Sequence, residues 1–354
     1  MTSDSAHVFD RITDVEATLN ALRNSARDVL DRVSPHPSLR AALDGDVPSY
    51  DAALWATVGQ LGWVDLLVPE SCGGSGGTVR QLTALAEELG RAGASLPLGE
   101  VAAAAWYAET ATAGVTLLLD GDAVLTDDGV SGTWPLVRYG AVADQLVLRA
   151  ACPDGTVAIV RVSATAAGVA RDALRPLDRN PAARIDMTAV PPLSVDTSTA
   201  GADRLTDALL RARLATAAEL VGVAASANDA AVEYAKVRVA FERPIGTFQA
   251  IKHRLVDQRA AIEVGRALVN RAGDAVDAGE GDWRELVALA AFWAIDSLRG
   301  VPEGAVQVFG GIGYTWEHDA HLHLRRAACL AAALGPRVAQ RQAVTAWLQR
   351  RGRG

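Results

Sequence analysis

Hydrophobic residues recur at helical spacing through the N-terminal third of the chain. The pattern predicts a helix over residues 8–35 and mainly helical structure over 50–113. A helix that begins near Asp51 is expected to stop at Gly62. After a glycine-rich turn, Thr78 is a candidate N-cap for the next helix. The N-terminal third is therefore predicted to be a helical domain.

The same spacing returns over longer segments in the C-terminal part of the chain. The predicted helices cover residues 203–239, 248–278, 282–309 and 316–350. Pro302 lies inside the third of them and is expected to kink it. Four long amphipathic helices joined by short loops are typical of a helix bundle.

Between these helical parts, from about 115 to 200, apolar and polar residues alternate with a period of two. Strand-like runs at 145–149 and 156–161 flank the favourable turn Pro153-Asp154-Gly155. The sequence thus predicts a mainly α fold in which a small, shortened β domain separates a helical domain from a four-helix bundle. The predicted domain boundaries are 1–113, 114–200 and 201–354.

Composition narrows the classes of function. The chain carries 34 Lys+Arg against 42 Asp+Glu, a formal net charge of −8, which argues against general nucleic-acid binding. The 3 cysteines are widely spaced with no CxxC pair, so neither a disulfide framework nor a zinc site is expected. Free thiols fit a reducing compartment, and neither a signal peptide nor a membrane span is evident. We therefore expect a cytoplasmic protein.

Two segments combine glycine or proline turns with polar side chains at predicted helix ends. The first, 238–253, contains Arg238 and Gln249, and the second, 306–326, contains Gln307 and Gly310-Gly311. A guanidinium close to exposed backbone N–H groups can hold a diphosphate. The competing interpretation is that the glycines only form a turn and that Arg238 is a surface charge.

Both segments resemble C-terminal signatures of the acyl-CoA dehydrogenase family, R-x-x-F-G-x-P-I-x-x-F-Q and Q-x-x-G-G-x-G-[FY], with Glu242 in place of the first motif's glycine. Residues 62–77 and 87–91 are similar to that family's N-terminal helical domain. The resemblance implies the order helical domain, β domain and helical bundle, and an FAD bound across a subunit interface. It implies FAD contacts for Arg238, Phe241, Phe248, Gln249, Gln307, Gly310 and Gly311. No G-x-G-x-x-G occurs, so a Rossmann site is not expected.

The chain departs from this family at the catalytic base. The resemblance implies a glutamate that removes the α-proton of the thioester, at one of two positions, but these positions hold Leu334 and Ala212. Glu219 is the nearest acid after Ala212 and is expected to be a structural or interface group. The family's T-E-P-x-A-G-S-D segment, which contacts the flavin ring, is also missing, and residues 117–123 stand roughly in its place. No catalytic residue is therefore assigned to this chain.

These features favour a non-catalytic subunit of an α2β2 acyl-CoA dehydrogenase, in which a partner chain brings the glutamate and the flavin-ring pocket. The resemblance implies an acyl-CoA substrate, such as a sterol side-chain thioester, and an electron acceptor of the electron-transfer flavoprotein type. Two alternatives stay open: a homomeric flavoenzyme with an unorthodox base, and a non-enzymatic acyl-CoA binder or scaffold. The histidines at 318, 321 and 323 lack a second ligand cluster, so no metal is expected.

Overall fold

The computed structural model describes residues 3–33, 35–45, 48–110 and 114–352. In these ranges the helices before the sheet are α1 (Ser3–Val33), α2 (Pro35–Asp44), α3 (Ala52–Gln60), α4 (Val79–Ala92) and α5 (Leu98–Ala108). Two predicted helix starts are confirmed. The Asp51 side chain accepts hydrogen bonds from the backbone N–H groups of Ala53 and Leu54, and Thr78 forms a capping box with Gln81.

The middle of the chain forms a sheet whose strand order is β5-β6-β2-β1-β3-β4-β7. The strands are β1 (Thr116–Thr126), β2 (Gly129–Val137), β3 (Gln145–Ala151), β4 (Val157–Ser163), β5 (Val169–Ala173), β6 (Ala183–Val190) and β7 (Ser194–Asp196). Strands β1 and β3 are parallel, and the other neighbouring pairs are antiparallel. The predicted turn at 153–155 joins β3 to β4, which pair from Gln145 with Ser163 to Ala151 with Val157.

The C-terminal part is helical and contains one short hairpin. Its elements are α6 (Thr199–Val237), β8 (Val239–Ala240), β9 (Arg243–Pro244), α7 (Gln249–Ala278), α8 (Trp283–Trp293), α9 (Val301–Phe309), α10 (Ala320–Ala333) and α11 (Arg337–Arg351). The expected fold class, mainly helical with a small sheet domain in the middle, is confirmed. Among the described residues, no helix combines the length and the hydropathy needed to cross a bilayer.

Two of the predicted C-terminal helices are wrong in detail. The helix predicted over 316–350 is interrupted between α10 and α11, where Gly335 adopts φ 86° and Pro336 precedes the new helix. The helix predicted over 282–309 is interrupted by a π-helical turn at Ala294–Leu298. Pro302 does not kink a continuous helix, because it lies in the first turn of α9, where its missing N–H costs nothing.

Helix α4 lies at the centre of the helical part and crosses α6 at very short range. A Cβ atom added at Gly90 would lie 2.0 Å from the Glu219 carbonyl oxygen, and one added at Gly222 would lie 1.9 Å from the Glu87 carbonyl oxygen. Only glycine permits this backbone approach. The crossing places Glu219 at the junction of the N-terminal helices, the sheet and the bundle.

Candidate functional site

The two motif segments meet at one end of the bundle. The ring of Tyr234, in the last turn of α6, lies 4.9 Å from the ring of Phe309 at the end of α9. Arg238 follows as the C-cap of α6 and donates its backbone N–H to the Tyr234 carbonyl, at 2.9 Å. Gly310 follows Phe309 as the C-cap of α9. Arg238 and Gly310 therefore stand within about one helical turn of the same aromatic contact.

A two-residue hairpin loop carries part of the first motif. Phe241 and Glu242 connect β8 to β9 with φ values of 51° and 65°, as in the tight turns that favour glycine. This geometry explains why a glycine suits position 242. The Phe241 side chain is 89% exposed, and its ring meets that of Phe248 edge to face at 6.1 Å. Gln249 then begins α7 and is exposed.

The polar groups of the two motifs are open to solvent. Arg238 and Gln307 are exposed, and within the described ranges the Arg238 guanidinium makes no ion pair. Gly310 has φ 65° and ψ −140°, a conformation that glycine adopts readily. A Cβ atom at Gly310 or Gly311 would meet nothing within 4 Å, so packing inside the chain does not demand glycine there. A free cation, two amides and an accessible backbone form a donor set that fits the diphosphate end of a dinucleotide.

The sequence matches the family model of the acyl-CoA dehydrogenase N-terminal domain over residues 16–113 and that of the C-terminal domain over 199–349. Acyl-CoA dehydrogenase IpdE2 of Mycolicibacterium smegmatis is 32% identical over 321 residues, covering 89% of this chain and 94% of IpdE2. Acyl-CoA dehydrogenase FadE34 of Mycobacterium tuberculosis is 35% identical over 298 residues, 80% of this chain but only 40% of FadE34. The chain thus spans less than half of one of these relatives and nearly all of the other.

Solved structures of acyl-CoA dehydrogenases resemble this chain over almost its whole length. A variant of the Tcur3481-Tcur3483 steroid ACAD superposes with a TM-score of 0.84 and 28% identity, over 96% of this chain and 99% of that one. The ChsE4-ChsE5 complex from Mycobacterium tuberculosis gives a TM-score of 0.81 at 26% identity, over 95% and 96% of the two chains. The chain belongs to the acyl-CoA dehydrogenase family. FAD is the cofactor of this family, which consists of oxidoreductases.

Neither expected base position carries a carboxylate. Leu334 is fully buried in the main core, and its carbonyl accepts a hydrogen bond from Gln340 Nε2 at 3.0 Å. Ala212 lies on α6 against the start of α5, where its carbonyl oxygen is 3.7 Å from a Cβ placed on Gly99. The cavity beside this contact, lined in part by Gly99 and Glu219, holds only about 10 Å³. Such a space has room for about one water molecule and none for a substrate.

Glu219 belongs to a buried group of charged side chains, here called the junction cluster: Glu100, Arg138, Asp178, Glu219 and Arg326. Arg326 Nε donates to Glu219 Oε1 at 2.9 Å, and Arg326 Nη1 donates to Asp178 Oδ2 at 2.6 Å. Arg138 pairs with Glu100 at 3.1 Å and approaches Glu219 Oε2 at 3.7 Å. The cluster joins α5, α6 and α10 to the end of β2 and to the β5–β6 loop.

Burial and the two arginines shift the pKa values of Glu219 and Asp178 in opposite directions. Burial raises the pKa of Glu219, although Arg326 and Arg138 favour its charged form. Burial also disfavours the charged form of Asp178, but there the two arginines prevail and lower the pKa. Both Glu219 oxygens face guanidinium groups, which favours a structural role for this carboxylate. The sequence did not identify Arg326, Arg138 or Asp178 as members of a buried cluster. Arg326 is the last residue of the second motif segment, but no local signal marks any of the three as buried.

A larger cavity, of about 770 Å³, opens between α5, the start of α6 and strands β3 and β4. It contains none of the seven motif residues, and its carboxylates have partners within the chain. Glu109 pairs with Arg204 at 2.8 Å, Asp144 accepts the Val115 N–H at 2.7 Å, and Asp196 accepts the Ser198 N–H. Each of these three carboxylates is thus already paired or hydrogen-bonded within the chain.

The histidines near the second motif serve packing and hydrogen bonding. The His321 ring stacks on Trp316 at 4.9 Å, and the His318 ring lies 4.3 Å from that of Phe309. His323 Nε2 lies 3.2 Å from Ser226 Oγ. In the part of the chain that the structure describes, no three His, Cys, Asp or Glu side chains converge as metal ligands.

Proposed function

We propose that this chain is the non-catalytic subunit of a heteromeric, FAD-dependent acyl-CoA dehydrogenase and completes an FAD site whose flavin-ring pocket lies in the partner subunit. One observation carries the proposal. The polar residues suited to the diphosphate and adenosine end of FAD stand exposed at the bundle end, whereas the base positions hold the buried Leu334 and the half-buried Ala212 and so carry no carboxylate. A chain that keeps the first set and lacks the second can serve a neighbour's cofactor.

The roles of the motif residues follow from their chemistry. Arg238 pairs with the FAD diphosphate, and the amides of Gln249 and Gln307 hydrogen-bond polar groups of the cofactor. Gly310 and Gly311 let the backbone approach it closely, and Phe241 with Phe248 offers an aromatic surface. When bound, FAD supplies the acceptor for the hydride that leaves the acyl β-carbon. The partner's glutamate removes the α-proton.

The surface around these residues supports a partner. Large hydrophobic side chains stand exposed on both motifs or directly beside them: Val237 (74%), Val239 (56%), Phe241 (89%), Ile312 (46%) and Tyr314 (71%). Apolar groups gathered beside a binding site in this way mark a surface that another chain covers. An FAD that bridges this surface would be shielded by both subunits.

The substrate class comes from the relatives. The two solved structures named above, Tcur3481-Tcur3483 and ChsE4-ChsE5, are each named for two different chains. The first of them is described as a steroid ACAD. We therefore propose a bulky acyl-CoA thioester of the steroid side-chain type as substrate, an electron-transfer flavoprotein as acceptor, and an α2β2 assembly. The free thiols at Cys72, Cys152 and Cys329 favour the reducing cytoplasm.

The test is the flavin content of defined assemblies. We expect the chain purified alone to be colourless, and the co-expressed complex with a second dehydrogenase-like chain to hold one FAD per heterodimer by absorbance and mass. Arg238→Ala in the complex should reduce flavin retention, whereas Arg32→Ala, on the exposed face of α1, should not. Full FAD occupancy and turnover by this chain alone would instead support the homomeric alternative. No flavin in any assembly would favour an acyl-CoA binder or scaffold.

A further inference from the structure

Helix α2 contacts the loop that follows the second motif, although some 270 residues separate them. Arg40 Nη1 donates to the Trp316 carbonyl oxygen at 2.5 Å, and Arg40 Nε donates to Asp319 Oδ1 at 3.0 Å. The indole Nε1–H of Trp316 donates to the Asp44 carboxylate. One helix thus binds the main chain and two side chains of the same short loop.

The opposite side of this loop packs against α10. The Trp316 ring stacks on His321 with an interplanar angle of 17°, and the Arg325 guanidinium lies 5.5 Å from its centroid. Leu43 of α2 and Leu322 of α10 bury each other beneath these polar contacts. Trp316 is nevertheless 44% exposed, so its position depends on these few partners.

The loop is joined directly to the candidate FAD contacts. A 3₁₀ turn spans Gly310–Tyr314, and only Thr315 separates it from Trp316. At its other end, Phe309 is fixed by the rings of Tyr234 and His318. Positions 310 and 311 themselves have open space where side chains would pack. Their backbone is therefore held from its two ends, by the bundle at Phe309 and by α2 at Trp316.

We propose that Arg40 and Asp44 are positioning residues for FAD: by holding Trp316 and Asp319 they fix the Gly310-Gly311 backbone before the cofactor binds. This inference rests on the proposed function, in which that backbone contacts FAD. A loop that is already ordered loses less conformational entropy when FAD binds, and the FAD affinity is therefore higher. Freeing the loop from α2 should weaken FAD binding without removing any group that touches FAD.

The test uses the FAD-binding assembly, stripped of flavin and titrated with FAD. Trp316→Phe keeps an aromatic ring but removes the N–H donor to Asp44. Arg40→Gln removes the guanidinium group that donates to the Trp316 carbonyl oxygen and to Asp319. We expect FAD binding about three- to tenfold weaker in each variant, the size of one lost hydrogen bond, with faster hydrogen exchange over 309–318. The matched control is Glu280→Gln, which breaks an exposed pair with Arg271 and should change neither.

Arg238→Ala, measured in the same assay, separates the two claims. If Arg238→Ala weakens FAD binding while Trp316→Phe and Arg40→Gln leave it unchanged, α2 is only a structural support and the inference is overturned. Faster exchange over 309–318 with unchanged affinity overturns it equally. If Arg238→Ala also has no effect, the proposed function fails, and the inference fails with it.

Discussion

The junction cluster predicts a large and pH-dependent stability effect at Arg326. Its side chain is 3% exposed and donates to Glu219, Asp178, Tyr139 and the hydroxyl of Ser95. Arg326→Met removes the cation and leaves two buried carboxylates with less compensation. Breaking a buried ion pair by removing one partner typically costs about 3–5 kcal/mol. We expect a loss of that size in the free energy of unfolding from urea titration at pH 7.5.

Two comparisons sharpen this test. Arg326→Lys keeps the charge but cannot reproduce the forked contacts, so its cost should be smaller than that of Arg326→Met. The control is Glu280→Gln, which breaks the exposed ion pair of Glu280 with Arg271. Such exposed pairs contribute only about 0–1 kcal/mol to the free energy of unfolding. If the free energy of unfolding of Arg326→Met lies within about 1 kcal/mol of the wild-type value, the junction cluster does not hold the three parts of the chain together.

The sign of the pH dependence follows from the carboxylates. In the wild type the pKa of Asp178 is lowered, so its contribution is present above its unfolded-state pKa and is lost as the pH falls through the lowered value. In Arg326→Met, burial without the cation raises the pKa of Asp178 and further raises that of Glu219. Groups with a raised pKa favour the folded state at low pH and lose that contribution as the pH rises. The stability gap between variant and wild type should therefore narrow from pH 8 to pH 5.

Three further predictions concern the motifs and the base position. Arg238→Ala in the complex should weaken FAD binding by about 1.5–3 kcal/mol in an equilibrium titration, with an unchanged circular dichroism spectrum. Unchanged FAD affinity would show that Arg238 does not contact FAD. In thermal unfolding, the Glu242→Gly variant should be about 1 kcal/mol more stable than the Glu242→Ala variant, because the backbone at position 242 has φ 65° and only glycine adopts this conformation without strain. Equal stability of the two variants would show that the backbone is not strained there. Leu334→Glu should lower the unfolding midpoint more than Leu334→Gln and create no turnover in the chain alone, because position 334 lies in the core; new activity would contradict the assignment.

Periodicity predicted the architecture because each element must bury one face. The helix expected over 203–239 is α6 at Thr199–Val237, and the strands around the 153–155 turn pair as expected. The dipeptide Gly335-Pro336 is itself a local signal for the helix break between α10 and α11. The prediction missed the break because the helical pattern of apolar residues continues on both sides of it. The π-helical turn at 294–298 has no such signal, since it depends on packing between helices.

The candidate FAD contacts could be proposed from the sequence because they lie in short contiguous motifs, and their role stays a prediction. The junction cluster was not, because Arg326 is 107 residues from Glu219 and 148 from Asp178. A charged residue in a helical pattern normally faces water, so only tertiary packing reveals a buried one. The same holds for Arg40, whose partners on the loop are 276 and 279 residues away. Local pattern alone cannot join such distant positions.

The central claim, that this chain supplies no catalytic base, is tested most directly by turnover of the FAD-loaded complex with an artificial electron acceptor. Glu219→Gln keeps a side chain that can still bond Arg326, and flavin content and unfolding midpoint are measured alongside. We expect it to retain activity within about tenfold, while glutamine in place of the partner's glutamate removes about 10²–10⁴-fold, the usual contribution of a positioned base. A collapse of turnover in Glu219→Gln with FAD still bound would show instead that this chain carries its own base.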